Sequence, residues 1–372
     1  MIYNMVEEKN TTEKNLLAIE RIENEINRIK ENNNFIYFFV IDSGGSPSGS
    51  LEYIYKLAYI LKENGYNVAM LYQKEEEFVG VESWLGEKYS GLPHYDIADE
   101  EVSVAPSDIL FIPEIFANVM MQSRKLPCKR IAILQNYDYV LEQMPVSAQW
   151  GDLGIMEAIT NTDANAELLK DIFPYVKTKT IHPYIDEMFV PTTKPKKMVV
   201  NLITKDQKTI NRVIKPFYWK YPIYKWVTFR HLNGFPKEKF AEMLREGAIT
   251  IWEDDDTHFG YSALEAMQSG SLVIAKTPDN MQEWMEKDGS LRNCCVWFDD
   301  YNKLHKMIAS VVRSWVSNNI PSEIEESVND TLTLYSKEQT TKDILNYVKG
   351  VIERRQKEME SMVNTIKKQT NE

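Results

Sequence analysis

The sequence predicts an α/β protein built from two domains in series. At 372 residues, the chain is long enough for two domains of ordinary size. Apolar runs of strand length alternate with helical patterns on both sides of Pro191–Lys197, a stretch rich in Pro, Lys and Thr. Such alternation is typical of parallel sheets covered by helices. The predicted organisation is an N-terminal helix at 1–34, domains at 35–190 and 191–335, and a C-terminal amphipathic helix at 336–372.

Composition and charge exclude several classes of protein. The chain has 55 acidic and 43 basic residues, and its net charge of −12 disfavours broad electrostatic binding to nucleic acid or to an anionic membrane. Its longest apolar run, Phe35–Ile41, is much shorter than the roughly 20 residues that span a bilayer. The N-terminus has no signal-peptide pattern. Cys128, Cys294 and Cys295 lack metal-ligand spacing, and such an odd, sparse set of cysteines is typical of reduced thiols. We therefore expect a cytoplasmic protein without stable membrane insertion.

The first half begins with an amphipathic helix over 7–34, which could pack on the first domain or on a partner chain. Phe35–Ile41 then predicts a buried parallel strand. A Gly-rich turn, a helix at Leu51–Asn64 and a strand at Val68–Tyr72 complete a βαβ unit. The other predicted elements of this half are strands at Asp108–Pro113, Arg130–Leu134 and Ala158–Thr160, and helices at Glu114–Arg124 and Asp163–Ile172.

The second half repeats the alternation. Its predicted strands are Met198–Ile203, Tyr224–Phe229, Ala248–Trp252, Val273–Ala275 and Cys295–Phe298. Its predicted helices are Thr209–Tyr218, Pro236–Glu246, Met281–Lys287, Asn302–Ser317 and a long charged helix at 339–370. That last helix has an apolar stripe and mixed charge, so it is predicted to pack on a domain or on a partner rather than to act as a basic arm.

The stretch Phe259–Ala275 carries the clearest functional pattern. A glycine precedes a short helical run, so the backbone N–H groups of Gly260, Tyr261 and Ser262 would lie at a helix N-terminus, where the dipole favours phosphate. Glu265, one turn further along, could accept hydrogen bonds from the hydroxyls of a ribose. These are the parts that a nucleotide diphosphate site needs.

This stretch resembles the donor-site motif of the retaining GT-B glycosyltransferases, the "glycosyl transferases group 1" family. The motif reads roughly Glu-Gly-Phe-Gly-x4-Glu-Ala-Met-Ala-x-Gly. The matching positions are Phe259, Gly260, Glu265, Ala266, Met267 and Gly270. The first Glu of the motif, which touches the donor sugar in the family, falls on Thr257, and the Gly after it falls on His258. Either a carboxylate of Asp254–Asp256 substitutes for that Glu, or the donor differs, or the activity is impaired.

The first domain carries a second part of the resemblance. Glycines 44, 45 and 49 do not fit the Gly-x-Gly-x-x-Gly dinucleotide fingerprint. Residues 44–72 instead resemble the N-terminal loop of the same family, in which a Gly-Gly pair, here Gly44 and Gly45, closes over the donor diphosphate. The segment Ile181–Pro191 resembles the end of the family's first domain. The resemblance implies a GT-B fold, with two Rossmann-like domains facing across a cleft and a last helix crossing back.

The resemblance also implies a pair of cations that grip the phosphates, in the loop after the first strand of the second domain. Lys205, Lys208 and Arg212 are the candidates, and ordinary solvated side chains are the alternative. Arg230 follows a predicted strand in the region that runs beside the base in this family.

Candidate acceptor residues follow strand Arg130–Leu134. Polar side chains at the carboxyl end of a parallel strand face the crevice. Asn136 and Tyr137 could contact the acceptor, and Asp138 could orient it or take its proton. A strand-end turn capped by Asn and Asp is an equally good interpretation.

The remaining candidates are histidines and the acidic run. His258 lies within the donor loop and is favoured over His182 as a catalytic residue. Three adjacent carboxylates at Asp254–Asp256 cannot all face one ion, so a solvated loop is favoured and no metal site is predicted. The Asp-x-Asp manganese motif of the other main glycosyltransferase fold keeps the alternative open.

The resemblance therefore predicts an enzyme that transfers a sugar from a nucleotide diphosphate sugar, with UDP as the expected nucleotide, to an acceptor hydroxyl with retention and without a cofactor. The alternatives are a non-catalytic sugar-nucleotide-binding or scaffold protein, suggested by Thr257, and a GT-B-fold epimerase. The acceptor stays open among a glycan, a lipid-linked sugar and a modified DNA base, as in virus-type transferases. The terminal helices could support a homo-oligomer.

Overall fold

The computed structural model describes residues 2–73, 78–98, 102–204, 206–253, 259–278, 283–286, 289, 291–317, 319 and 322–371, without the side chains of 2–12 and 371. Within these residues the chain forms two parallel sheets, one with seven strands and one with five. Each sheet has helices on both faces. The α/β class and the two Rossmann-like domains predicted from the sequence are confirmed.

The first sheet has the strand order β3-β2-β1-β4-β5-β6-β7, and all neighbours are parallel. Its strands are β1 Phe35–Phe39, β2 Asn67–Tyr72, β3 His94–Asp96, β4 Ile109–Pro113, β5 Lys129–Leu134, β6 Glu157–Thr160 and β7 Lys177–Thr180. The accompanying helices are α1 Ile2–Lys30, α2 Gly49–Glu63, α3 Glu82–Leu85, α4 Ala117–Gln122, α5 Tyr137–Gln143 and α6 Asp163–Ile172. Strand β4 is buried at every position, as expected for a central parallel strand covered on both faces.

The second sheet has the order β12-β11-β10-β8-β9 and is also parallel. Its strands are β8 Lys197–Ile203, β9 Thr228–His231, β10 Gly247–Trp252, β11 Leu272–Lys276 and β12 Cys295–Phe298. The helices of this half are α7 Gln207–Lys220, α8 Lys237–Glu246, α9 Tyr261–Gln268, α10 Tyr301–Val316, α11 Glu323–Leu334 and α12 Lys337–Asn371.

Helix α12 crosses back onto the first domain, as predicted. Ile344, Val348 and Val351 are buried in the core beneath the first sheet. Further along, Met359 and Val363 pack against α1 in a cluster of buried side chains. The α1 members of that cluster are Ile19, Ile26 and Ile29. Part of the apolar face of each terminal helix is therefore covered by the other helix within one chain.

Several predicted elements were wrong in position or missing. The predicted strand Tyr224–Phe229 is a 3₁₀ turn at Pro222–Tyr224 followed by β9, because Tyr224 and Val227 donate their backbone N–H groups to turn carbonyls. The predicted helix at Glu114–Arg124 starts only at Ala117 and ends in a 3₁₀ turn. Strand β3 and helices α5 and α11 were not predicted.

Two further predictions concern one helix of the second half and the domain boundaries. The predicted helix Met281–Lys287 lies largely outside the described residues, and its described part, 283–286, is a turn. The predicted domain boundaries stay predictions. None of the helices in the described part of the chain combines the length and apolar character that a bilayer crossing requires.

Candidate functional site

A cavity of about 200 Å³ lies between the two domains. It is bounded on one side by the start of α2 and on the other by residues that follow β8, β9 and β10 and by the start of α9. Its main polar lining residues are Ser48, Glu52, Thr204, Glu253, Ser262 and Glu265. Both sheets thus present the carboxyl ends of strands to one cleft, which is where parallel α/β sheets bind ligands.

Two helix N-termini from opposite domains face this cavity. Helix α2 begins at Gly49, with Ser48 as its N-cap, and α9 begins at Tyr261. The first amides of each helix have no intrahelical acceptor, and the helix dipole is positive at that end. The cleft therefore offers two converging sets of N–H donors for an anion.

Glycines allow these two helix ends to approach each other. A Cβ atom on Gly49 would lie 3.2 Å from the ring of Tyr261 in the other domain. Gly260 has φ +80°, and a Cβ there would lie 2.7 Å from Met285 and 2.8 Å from Trp284. The turn into α9 therefore requires glycine for both its conformation and its space.

The predicted pair Gly44 and Gly45 lies in the turn before α2, with φ of +58° and +77°. The Gly44 amide donates to Asp42 Oδ1 at 2.9 Å. Neither glycine lines the described wall of the cavity, whereas Pro47, Ser48 and Gly49, just after them, do.

A chain of buried ion pairs connects the domains at the floor of the cleft. Lys237 of α8 binds Glu265 in its own domain and Glu52 Oε2 of α2 at 2.6 Å. On the other side of Glu52, Lys56 Nζ lies 2.7 Å from Glu52 Oε1 and 2.8 Å from Asp186 Oδ2. Charge therefore alternates from one domain to the other, and removing Lys237 would leave Glu265 without its cation and Glu52 with only Lys56.

Burial governs the titration of this chain. Burial raises the pKa of Glu265 to about 7, against the opposing effect of Lys237. Burial would also raise the pKa of Glu52, but Lys237 and Lys56 on its two sides lower it below its usual range. Glu265 is only 2% exposed. The predicted ribose-binding carboxylate thus lines the cavity as one end of a network.

Four members of this chain were not predicted from the sequence, namely Lys237, Glu52, Lys56 and Asp186. A signal was present for two of them, because Glu52 and Lys56 stand four residues apart in a helix that is otherwise mostly apolar. A charged pair at that spacing on a buried face predicts an ion pair. Lys237, by contrast, is 185 residues from Glu52, and no local pattern connects them.

The predicted phosphate-binding cations either do not line the described wall of the cavity or lie outside the described residues. Lys208 lies exposed in the first turn of α7, and its backbone N–H donates to Asp206 Oδ1. Arg230 does not line the described wall of the cavity: its guanidinium binds Asn201, Glu246 and the carbonyl of Met243. Lys205, Thr257 and His258 lie outside the described residues, as does Asp254–Asp256.

The predicted acceptor residues lie at the carboxyl end of β5, an interior strand of the first sheet. Asn136 caps α5 by accepting from the amide of Asp138 at 2.8 Å, and Tyr137 and Asp138 form the first turn of that helix. Beneath them Glu114, at the end of β4, accepts from the amides of Gln135 at 3.0 Å and Asn136 at 2.7 Å. Burial raises the pKa of Glu114 to about 7, with these amides opposing the rise. Glu114 was not predicted from the sequence as a site residue.

His182, which the sequence analysis ranked below His258, joins the domains at another point of the interface. Its Nε2 lies 3.2 Å from Glu283 Oε1 and 3.6 Å from Asp163 Oδ2. Burial opposes the charged form, but the two carboxylates raise the pKa of His182. The three side chains could offer one ligand atom each to a metal ion, since these atoms all lie within 4.8 Å of one another.

Similar structures share this two-domain architecture. Sucrose-phosphate synthase from Thermosynechococcus elongatus matches 86% of this chain and 100% of its own, with a TM-score of 0.61 at 12% identity. Anabaena HepE in complex with UDP-glucose matches 85% of this chain and 99% of its own, also with a TM-score of 0.61 at 12% identity. The chain has the GT-B fold.

Sequence comparison gives a curated relative. An alpha-1,6-glucosyltransferase from Actinobacillus pleuropneumoniae serotype 7 is 25% identical over 226 residues, which is 58% of this chain. The chain spans 64% of the length of that relative. No protein-family model matches the chain. The predicted resemblance to GT-B glycosyltransferases is confirmed.

Proposed function

We propose that this GT-B protein is a glycosyltransferase that moves a sugar from a nucleoside diphosphate sugar, with UDP as the nucleotide, to an acceptor hydroxyl with retention of configuration. The observation that carries the proposal is the pair of helix N-termini, α2 and α9, which face one cavity from opposite domains. A diphosphate leaving group carries its charge where such amide donors are concentrated. The relative named as a glucosyltransferase and the neighbour bound to UDP-glucose support the choice of donor.

On this proposal, different residues of the cavity have different roles. The amides of Tyr261 and Ser262 hold the diphosphate, and Glu265 accepts hydrogen bonds from the ribose. The residues Asn233, Gly234 and Phe235 line the same cavity and provide its wall for the base.

Calorimetric titration with UDP, GDP and TDP tests the donor site. We expect UDP to bind most tightly, and Glu265→Gln to weaken its binding at least tenfold. Glu242→Gln serves as a matched control, because Glu242 is an exposed carboxylate on α8. Unchanged binding to Glu265→Gln, in a variant with wild-type circular dichroism, would remove Glu265 from the donor site.

Product analysis tests the reaction. Incubation with the UDP-sugar and a panel of sugar acceptors should give a product whose anomeric proton shows the configuration of the donor. An inverted product would refute retention, and an isomerised donor without glycosylated acceptor would indicate an epimerase. Nucleotide binding without either reaction would favour a scaffold.

A further inference from the structure

A second cavity, of about 320 Å³, lies in the first domain beside the interdomain cavity. It is enclosed by the loop after β1, the first turns of α2, the end of β4, the end of β5 and helix α5. Ser48, the N-cap of α2, lines both cavities. The two cavities therefore lie next to each other at the start of α2.

The described lining of this second cavity has a distinct chemistry. Its neutral polar groups are Ser48, Ser50, Gln135, Tyr139 and Gln143. Its charged groups are two carboxylates, Glu114 and Glu142, and its described lining includes no Lys, Arg or His. Phe116 and Tyr139 add ring surfaces. The cavity is thus suited to a ligand rich in hydroxyl donors and free of negative charge.

Glu114 is the polar group whose bonding is incomplete. It is 3% exposed, and its Oε1 accepts from the amides of Gln135 and Asn136. Its Oε2 accepts no hydrogen bond from any residue that the structure describes. A buried carboxyl oxygen without a partner is unfavourable, and a ligand hydroxyl would satisfy it with a hydrogen bond.

We propose that this second cavity is the acceptor site, that its ligand is an uncharged sugar residue, and that Glu114 accepts a hydrogen bond from one of the sugar's hydroxyls. The inference rests on the proposed transferase function. The first turn of α2 also lines this cavity, but on the proposed function its N-terminal amides serve the donor diphosphate. A second phosphate held here would face two carboxylates without a cation in the described wall, and like charges brought together disfavour binding. A phosphorylated sugar and a DNA strand are therefore both poor occupants.

The test first separates donor binding from acceptor choice. Calorimetry with UDP is followed by steady-state kinetics with UDP-glucose and matched acceptors: methyl hexopyranosides, the corresponding hexose 6-phosphates, and a DNA oligomer with a hydroxymethylated base. We expect kcat/KM for the best neutral glycoside to exceed that for its 6-phosphate at least tenfold. A preference for the 6-phosphate or for the DNA, with UDP bound, would overturn the inference alone. Absence of nucleotide binding would overturn both the inference and the proposed function.

Two substitutions locate the site. Glu114→Gln keeps a carbonyl oxygen for the two backbone amides, so the fold should persist while kcat/KM for the neutral acceptor falls at least tenfold and UDP affinity stays within twofold. Glu167→Gln, an exposed carboxylate of α6, is the matched control. Glu142→Lys adds a cation to the cavity and should raise the relative rate with the 6-phosphate at least tenfold. Unchanged acceptor kinetics in both cavity variants would place the acceptor elsewhere.

Discussion

Glu265 and Glu114 are both buried carboxylates at the carboxyl ends of their domains' sheets, and burial raises the pKa of each to about 7. Their neighbours differ. Glu265 binds the ammonium of Lys237 and belongs to a chain of charges that crosses between the domains. Glu114 is held by two backbone amides. Two carboxyl groups with similarly raised pKa values therefore have different roles. Glu265 belongs to a network that joins the domains, whereas Glu114 has an oxygen that a ligand can bind.

The largest effect should come from removing the cation on the Glu265 side. Lys237→Met leaves Glu265 and Glu52 buried without their shared partner, and should lower the free energy of unfolding by about 3–5 kcal/mol. Urea denaturation at pH 7.5 measures it. Lys239→Met, two residues along α8, removes only a surface pair with Glu242 and should cost less than about 1 kcal/mol. Equal losses in the two variants would show that the network does not stabilise the protein.

On the Glu114 side, the effect should have the opposite sign and depend on pH. A buried carboxyl whose pKa is raised favours the folded state below its unfolded pKa, and that contribution is lost as pH rises through about 7. Wild-type stability should therefore fall between about pH 4.5 and 7 relative to Glu114→Gln. At pH 8 the Gln variant should be more stable by roughly 3 kcal/mol, and near pH 4.5 the two should converge. Denaturation curves across this range would contradict the prediction if the difference were constant.

The backbone of the donor side offers a smaller effect. Gly260→Ala puts a side chain on a residue with left-handed backbone conformation, and its Cβ would lie too close to Met285 and Trp284. We therefore expect a loss of about 1–3 kcal/mol in stability and weaker UDP binding. Gly65→Ala is the control, because Gly65 has φ +84° with open space around its Cβ position. It should cost about 1 kcal/mol and leave UDP binding unchanged. A nucleotide affinity that is equal in the two variants would argue against α9 as the phosphate-binding helix.

The smallest effect should appear beside Glu114. Asn136→Ala removes the cap of α5 and should cost about 1 kcal/mol, while Asn136→Asp keeps an acceptor oxygen and should restore that stability. Thermal denaturation measures both. If Asn136 is only a cap, acceptor KM in the Asp variant will equal that of the wild type. A raised acceptor KM in a fully stable Asp variant would add Asn136 to the acceptor site.

Local patterns predicted most of the fold. Both faces of a parallel strand are covered, so such a strand is apolar throughout, as in Phe35–Phe39 and Ile109–Pro113. That pattern can be recognised in the sequence without tertiary information. The first part of the predicted strand Tyr224–Phe229 was wrong: its aromatic residues suit strands, yet Tyr224 packs on Phe217 and ends a turn instead. Packing there decides the structure.

The candidate site was only partly predictable. Gly260 and Glu265 carry a local signature of a helix-terminal anion site, and both line or shape the cavity. Lys237 and Glu114 could not be found, because their significance depends on partners brought together by the fold: Glu52 across the cleft for Lys237, and two amides 21 and 22 residues away for Glu114.

The contact between α1 and α12 has a consequence for folding. Asn15 donates to Thr370 across 355 residues, and Glu23 pairs with Lys367. During synthesis α1 is made before both sheets and α12 after them. The face of α1 with Ile19, Ile26 and Ile29 therefore stays exposed until α12 has been made. Contacts between such distant segments slow folding and expose apolar surface during assembly. The helix pair should therefore be the last part of this chain to become protected from hydrogen exchange during refolding.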